Sequence, residues 1–290
     1  MPSFFKSEAG RTEILALYDK KLAELGIDYE TQFVPTPFGE THIVCTGDPT
    51  NPPLLLLHGS NGCAPIALQT YPNLSNKYCV YAIDVLAQPN KSIGIRPSMR
   101  DNIYGEWVNA IINELGLEEV TLAGFSFGGL VILKTLLHDE SRIKEAFLSA
   151  PVYIVNGNPF KALWNIFLPM RRYMKTKQQA YVEQVIDVLF TERDDFALPF
   201  LSLVFLHFEM DFSPLPVISK KEAQRIQTPI TLFAAQNDIL FPGKKMIKRA
   251  RKLFPALREA ILLEGSKHVQ SRVDNERIER VILGHNETTP

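Results

Sequence analysis

Residues 120–137 read VTLAGFSFGGLVILKTLL, and their interpretation decides the fold. The first six, ending at Phe125, form a short apolar run of the kind that makes a buried strand. Beyond Phe127 the apolar residues Leu130, Val131, Leu133 and Leu137 recur, with Lys134, at helical spacing. Between the two patterns lies Gly124-Phe125-Ser126-Phe127-Gly128, with Gly129 behind it. A strand that becomes a helix within one residue forces that residue towards positive φ. Its neighbours must lack side chains so that the backbones can close up. The side chain at such a turn projects from the rim of the sheet, and the unpaired N–H groups of the helix's first turn gather beneath it. That placement suits a nucleophilic serine.

Outward from this turn, strands and helices alternate. Residues 29–34 and 41–46 alternate apolar and polar around Pro37-Phe38-Gly39, which predicts an antiparallel hairpin. Apolar runs at 54–57, 78–83, 146–150, 230–234 and 260–263 predict buried strands. A first helix is expected from the stripe Ile14, Leu17, Tyr18, Lys21, Leu22 and Leu25, stopped by Gly26. Others are expected after Pro65, over 242–253, and up to Leu283. Ser98 with Asp101 three residues on predicts a capping-box variant, opening a helix that turns Ile103, Trp107, Ala110, Ile111 and Leu115 inward. Residues 153–212 break the rhythm with aromatic- and Met-rich helical segments and no strand pattern. The fold class is therefore α/β, a mostly parallel sheet with helices on both faces and a helical insertion at the strand tips.

Composition narrows the class of protein. The 290 residues carry 31 Lys and Arg against 32 Asp and Glu, so nothing global suggests nucleic acid. Cys45, Cys63 and Cys79 are odd in number and lack metal-ligand spacing; Cys45 and Cys79 sit in apolar strand-like runs and read as core residues in a reducing compartment. Neither a signal-peptide pattern nor a membrane-spanning apolar run is present, which gives the expectation of a cytoplasmic protein without a membrane span. The basic run 244–252 reads as the solvated face of a helix whose Met246, Ile247 and Leu253 face inward. A homodimer is left open.

With these residues in place, the chain resembles the α/β-hydrolase fold proteins with a helical cap, of the carboxylesterase-like serine hydrolase kind. The resemblance rests on His58-Gly59 after the third strand, the elbow at Ser126, an acid beyond a late strand and a histidine near the C-terminus. It covers nearly the whole chain, and the order Ser, Asp, His is the one this fold uses. It implies a core of residues 1–152 and 213–290, with a cap over 153–212. Ser126 would be the nucleophile and needs a base within hydrogen-bond reach. Of the six histidines, His42 lies in the hairpin, His138 at the far end of the elbow helix, His207 in the cap and His285 in the tail, while His58 reads as structural. His268 alone follows a strand end on the rim of Ser126.

Asp238 sits in a loop similar to the family's G-x-x-D-x-x-x-P, with Ala235 in place of the usual glycine, and would steady the imidazole. Asp211 and Asp195 lack that placement. The backbone N–H of Phe127 and, by resemblance, that of Ser60 would form the oxyanion hole, with Asn61 the second candidate for the latter place. Residues 84–92 depart from the family's D-x-x-G-x-G-x-S, since both glycines are gone. Asn61, Trp164, Phe205 and Phe208 are expected to line the pocket. The implied reaction is hydrolysis of a carboxylic ester of a small to medium, largely apolar substrate, with no cofactor and no metal. Thioesters, lactones and C–C bonds beside ketones use the same machinery. A slow-turnover small-molecule receptor on the same fold is the reading from another class.

Overall fold

The computed structural model of the protein describes residues 4–284. Its strands are β1 (Glu30–Thr36), β2 (Gly39–Thr46), β3 (Pro53–Leu57), β4 (Cys79–Ile83), β5 (Ile93–Gly94), β6 (Val120–Phe125), β7 (Ile143–Ser149), β8 (Ile230–Ala235) and β9 (Leu257–Leu263). The helices are α1 (Glu8–Glu24), α2 (Ala64–Thr70), α3 (Ile103–Glu114), α4 (Phe127–His138), α5 (Pro159–Ala162), α6 (Leu168–Thr176), α7 (Ala180–Leu189), α8 (Ala197–His207), α9 (Lys220–Ala223), α10 (Gly243–Leu253) and α11 (Arg272–Ile282).

All nine strands join one sheet in the order β1-β2-β4-β3-β6-β7-β8-β9, with the two-residue β5 paired to β2. The hairpin β1–β2 and the pairings of β2 with β4 and β5 are antiparallel. From β4 through β9 every neighbouring pair is parallel. Parallel strands covered on both faces need apolar side chains on both, which is why β3 reads as an unbroken Leu run. Leu55 and Leu57 enter one core with Trp107, Ile111 and Leu130, while Leu54 and Leu56 enter the other with Ile14, Tyr18 and Phe233.

The insertion lies between β7 and β8. Within it α5 runs through a wider π-turn, Leu163–Phe167, directly into α6. Helix α8 packs against α1, and the chain on either side is stitched by Lys6 N–H to the His207 carbonyl (2.8 Å) and Glu209 N–H to the Phe4 carbonyl (2.8 Å). The basic helix α10 buries Met246, Ala250 and Leu253 and leaves Ile247 half-buried.

Two local expectations are corrected. Helix α3 begins at Ile103 with Asn102 at its cap, not at Ser98. The Ser98 hydroxyl instead accepts from Arg100 N–H, and Asp101 accepts from Ile103 N–H, so each polar side chain closes its own short turn. β5 had no strand signal of its own. Its Gly94 lies against Gly39 where a Cβ on Gly39 would stand 2.1 Å from the Ile93 carbonyl oxygen, so two glycines permit a pairing that local sequence does not announce.

Candidate active site

Ser126 has φ 51° and ψ −109°, the strained geometry that a strand-to-helix turn within one residue requires. Three backbone bonds hold it there: Ser126 N–H to the Ser149 carbonyl (2.9 Å), and Val152 N–H (2.9 Å) and Gly129 N–H (3.0 Å) to the Ser126 carbonyl. The glycine at 128 is a matter of space. A Cβ there would meet the Leu57 carbonyl oxygen at 2.3 Å, and no rotamer could relieve that. The elbow thus presses α4 against the end of β3, bringing Ser126 beside the turn that follows His58.

His268 reaches the serine from the loop after β9. Its Nε2 lies 2.9 Å from Ser126 Oγ, and its Nδ1 lies 2.7 Å from Asp238 Oδ2. A carboxylate can only accept, so Nδ1 carries the proton and Nε2 is left to accept from the serine hydroxyl. Phe125 and Phe241 flank the imidazole ring at centroid distances of 5.1 and 5.4 Å. Asp238 Oδ1 accepts from Leu240 N–H (2.7 Å) and Phe241 N–H (3.0 Å). Burial pushes the Asp238 carboxyl up, but the His268 ring and the two amides outweigh it and hold the group below the ordinary carboxylate value. All three side chains are buried.

The histidine loop is tied to the insertion. Val269 N–H donates to the Leu189 carbonyl (2.8 Å) and Thr191 N–H to the Val269 carbonyl (2.9 Å). The Thr191 hydroxyl accepts from Lys267 N–H (2.9 Å) and donates to the Val269 carbonyl (2.7 Å). The residues on both sides of His268 are therefore bonded to the end of α7.

The turn over Ser126 is built from Gly59, Ser60 and Asn61. A Cβ on Gly59 would lie 2.8 Å from the Phe125 ring and 3.3 Å from Ser126 Cβ, so only glycine brings this backbone so near the serine. Neither Ser60 N–H nor Phe127 N–H has an acceptor among the described residues. Asn61 differs. It sits at φ 55°, and its N–H donates to Gln88 Oε1 at 2.7 Å. That side chain belongs to the segment 84–92, whose path the sequence left open. His58 Nδ1–H donates to the Gly59 carbonyl (2.8 Å), and its Nε2 accepts from Val85 N–H (3.0 Å). Burial lowers the His58 pKa and keeps the ring neutral, against the opposing pull of Asp84 and the Gly59 carbonyl. Asp84 accepts from Ala64 N–H (2.8 Å) and lies 3.0 Å from His42 Nδ1. A buried polar network thus replaces the missing glycines and braces the turn from below.

The structure brings together Ser126, Asp238, His268, Ser60, Phe127 and Asn61. It places the three expected pocket aromatics apart from the triad's ring contacts. Phe208 packs edge-on against Phe5 (5.3 Å), Phe205 against Tyr173 (6.4 Å), and Trp164 stands 65% exposed on the insertion's outer side. Asp211 is exposed, with Oδ1 accepting from Ser213 N–H. His285 lies outside the described residues. Sequence reasoning missed Gln88 and Thr191, which no local pattern marks, and Phe241, whose position three residues after Asp238 could have suggested it.

A mostly parallel sheet with a positive-φ serine elbow, an acid after β8 and a histidine after β9 defines the α/β-hydrolase fold. The family model for the alpha/beta hydrolase fold matches residues 52–173. The chain is 26% identical over 276 residues to the carboxylesterase YbfK of Bacillus subtilis, covering 92% of this chain and 90% of that one. It is 26% identical over 286 residues to the uncharacterized carboxylesterase nap of the same organism, covering 91% and 90%. The crystal structure of naproxen esterase from Bacillus subtilis superposes with a TM-score of 0.83 at 21% identity, covering 98% of this chain and 99% of that one. The chain has the α/β-hydrolase fold and is similar to carboxylesterases over about nine-tenths of its length.

Proposed function

We propose that this hydrolase cleaves carboxylic esters of small to medium, largely apolar substrates through an acyl-enzyme on Ser126. The observation that carries the reading is the unbroken relay from Asp238 through His268 to Ser126, at 2.7 and 2.9 Å, ending on a serine held at φ 51°. Ser126 Oγ gives its proton to His268 Nε2 as it bonds to the ester carbonyl carbon. The carbonyl oxygen becomes an oxyanion facing the Phe127 and Ser60 amides. Asp238 holds the proton on Nδ1 and steadies the imidazolium that forms. Collapse of the tetrahedral intermediate breaks the C–O bond, and Nε2 protonates the departing alcohol. Water then repeats the sequence, leaving the acid and a free serine.

The preference for apolar substrates rests on Phe125 and Phe241 beside the imidazole and on an insertion rich in aromatic side chains. In this reading residues 153–212 form a cap over the core made by 1–152 and 213–290. The bonds from Leu189 and Thr191 to Val269 support a cap that reaches the histidine loop and excludes water from it. The test is a fluorophosphonate probe followed by peptide mapping, together with turnover on a p-nitrophenyl ester series. The label should fall on Ser126 and vanish in Ser126→Ala. A label elsewhere overturns the nucleophile. Thermal stabilisation by esters with almost no turnover would point to the receptor reading instead.

A further inference from the structure

Helix α5, the π-turn and α6 make one continuous run from Pro159 to Thr176 with two unlike faces. Ile166, Met170 and Tyr173 are buried towards the rest of the insertion. On the opposite stripe, at helical spacing, Phe160 is 70% exposed, Trp164 65%, and Leu163 and Phe167 also face solvent. Phe212 joins them from the chain after α8, with its ring 6.0 Å from that of Phe167. Five of the eleven large apolar side chains that stand exposed among the described residues are in this one patch. Isolated exposed apolar residues need no explanation; a contiguous aromatic patch marks a contact surface.

Charge says what the contact is. No Asp or Glu occurs between Glu145 and Glu183, and that interval holds Lys161, Arg171, Arg172, Lys175 and Lys177. All five are exposed, and none is in an ion pair among the described residues. The stripe Phe160, Trp164, Phe167 continues at the same spacing into Arg171 and Lys175. Aromatic residues thus run directly into cations on one face of one helix. The whole chain is near neutral at −1, so this is local segregation and not a general excess. The nearby acids, Glu209 and Asp211, lie beside Phe212, and Asp211 turns one carboxylate oxygen to Ser213 N–H.

We propose that this face of the insertion docks on an anionic lipid surface, with the helix lying in the plane of the interface. Phe160, Trp164 and Phe167 enter the headgroup and acyl boundary, while the five cations meet lipid phosphates and carboxylates. Eighteen residues at a rise of about 1.5 Å each give roughly 27 Å of helix to lie along the surface. Crossing is not the mode, because no described helix is long and apolar enough. A second copy of the chain fits less well. A two-fold contact places the same patch on itself and would gather ten cations in one interface. The inference concerns the outer face and is independent of the chemistry at Ser126.

The full-length chain is floated through a density gradient with vesicles of phosphatidylcholine alone or with about one-third phosphatidylserine. Trp107 is fully buried, so a blue shift in tryptophan emission on the vesicles reports Trp164. Roughly tenfold or greater enrichment on the anionic vesicles is expected, lost at about 0.5 M salt, together with a blue shift. Arg171→Glu with Lys175→Glu, and separately Phe160→Ser, should each lower the bound fraction severalfold at unchanged Tm, since all three side chains are exposed. Equal recovery with both vesicle types, or no recovery with either, overturns the proposal. A blue shift that rises with protein concentration without vesicles, with a dimer in sedimentation, overturns it in favour of a second copy.

Discussion

Gln88 offers a test of how the oxyanion turn is held. Its Oε1 accepts from Asn61 N–H at 2.7 Å, and Asn61 lies at φ 55°, a conformation Asn tolerates better than most L residues and one this bond helps to hold. Gln88→Leu keeps most of the side-chain volume and removes the acceptor. Leaving a half-buried amide unpaired costs about 1–3 kcal/mol, and the turn recovers part of that by letting Asn61 relax towards negative φ. Such a rotation turns the Ser60–Asn61 peptide plane, and compensating changes at Ser60 ψ and φ shift the Ser60 N–H in the plane before it. Loss of a whole oxyanion donor lowers kcat by about 10²–10³, so a displaced donor should cost roughly 10- to 100-fold. KM should stay within about twofold, since the ground-state ester barely uses that amide. The measurement is kcat and KM on a p-nitrophenyl ester, normalised to fluorophosphonate-titratable sites. Gln88→Glu keeps an acceptor of similar reach and should recover most of the rate. A Gln88→Leu enzyme with unchanged kcat, or with the loss confined to KM, would refute the reasoning.

Other expectations follow from the same contacts. Asp238→Asn should leave the fold intact and lower kcat by orders of magnitude, because the amide favours the wrong imidazole tautomer; activity within about threefold of the parent would assign the acid elsewhere, with Asp211 next to be tested. The folded Asp238 carboxyl titrates below the ordinary value of 3.8, so the unfolded chain takes up its proton first as pH falls. The stability it contributes is therefore complete above about pH 4 and lost below it, and denaturation curves of the parent and Asp238→Asn should converge on acidification; a gap that stays constant would deny the linkage. Thr191→Val removes the two hydroxyl bonds to Lys267 and Val269, and should speed hydrogen exchange at residues 267–269 while lowering kcat severalfold. Unchanged exchange there would mean that the α7 backbone bonds suffice.

What could be read from sequence was local. The elbow was legible because both glycine requirements, at 124 from Gly128 and Ile132 and at 128 from the end of β3, leave their mark within one five-residue pattern around Ser126. The strands were legible because burial on both sheet faces writes a continuous apolar run. Asp238 and His268 were found through their places after β8 and β9, which is a statement about topology and needs no side-chain detail. The segment 84–92 was not legible, because its shape is set by partners far along the chain. Asp84 bonds Ala64 and His42, Ser92 Oγ accepts from His42 N–H, and Gln88 bonds Asn61. None of those partners shares a period with it. The π-turn was hidden for a related reason, since the apolar spacing of 160–173 fits an ordinary helix.

Two distant braces meet at the reacting serine, and they differ in kind. The turn over Ser126 is set from within the core by a buried polar network, where each donor that lost its acceptor would cost free energy. The histidine arrives from the other side on a loop bonded to the end of α7, and so to the insertion. Ser126 itself is fixed by three backbone bonds at the elbow and needs neither brace. Changes in the insertion should therefore reach catalysis through the position of His268 and leave the oxyanion amides alone, while changes in 84–92 should do the reverse. Rates that collapse equally for every substrate would mark the second route. The first should also shift the pH dependence, because it alters the partner that carries the proton.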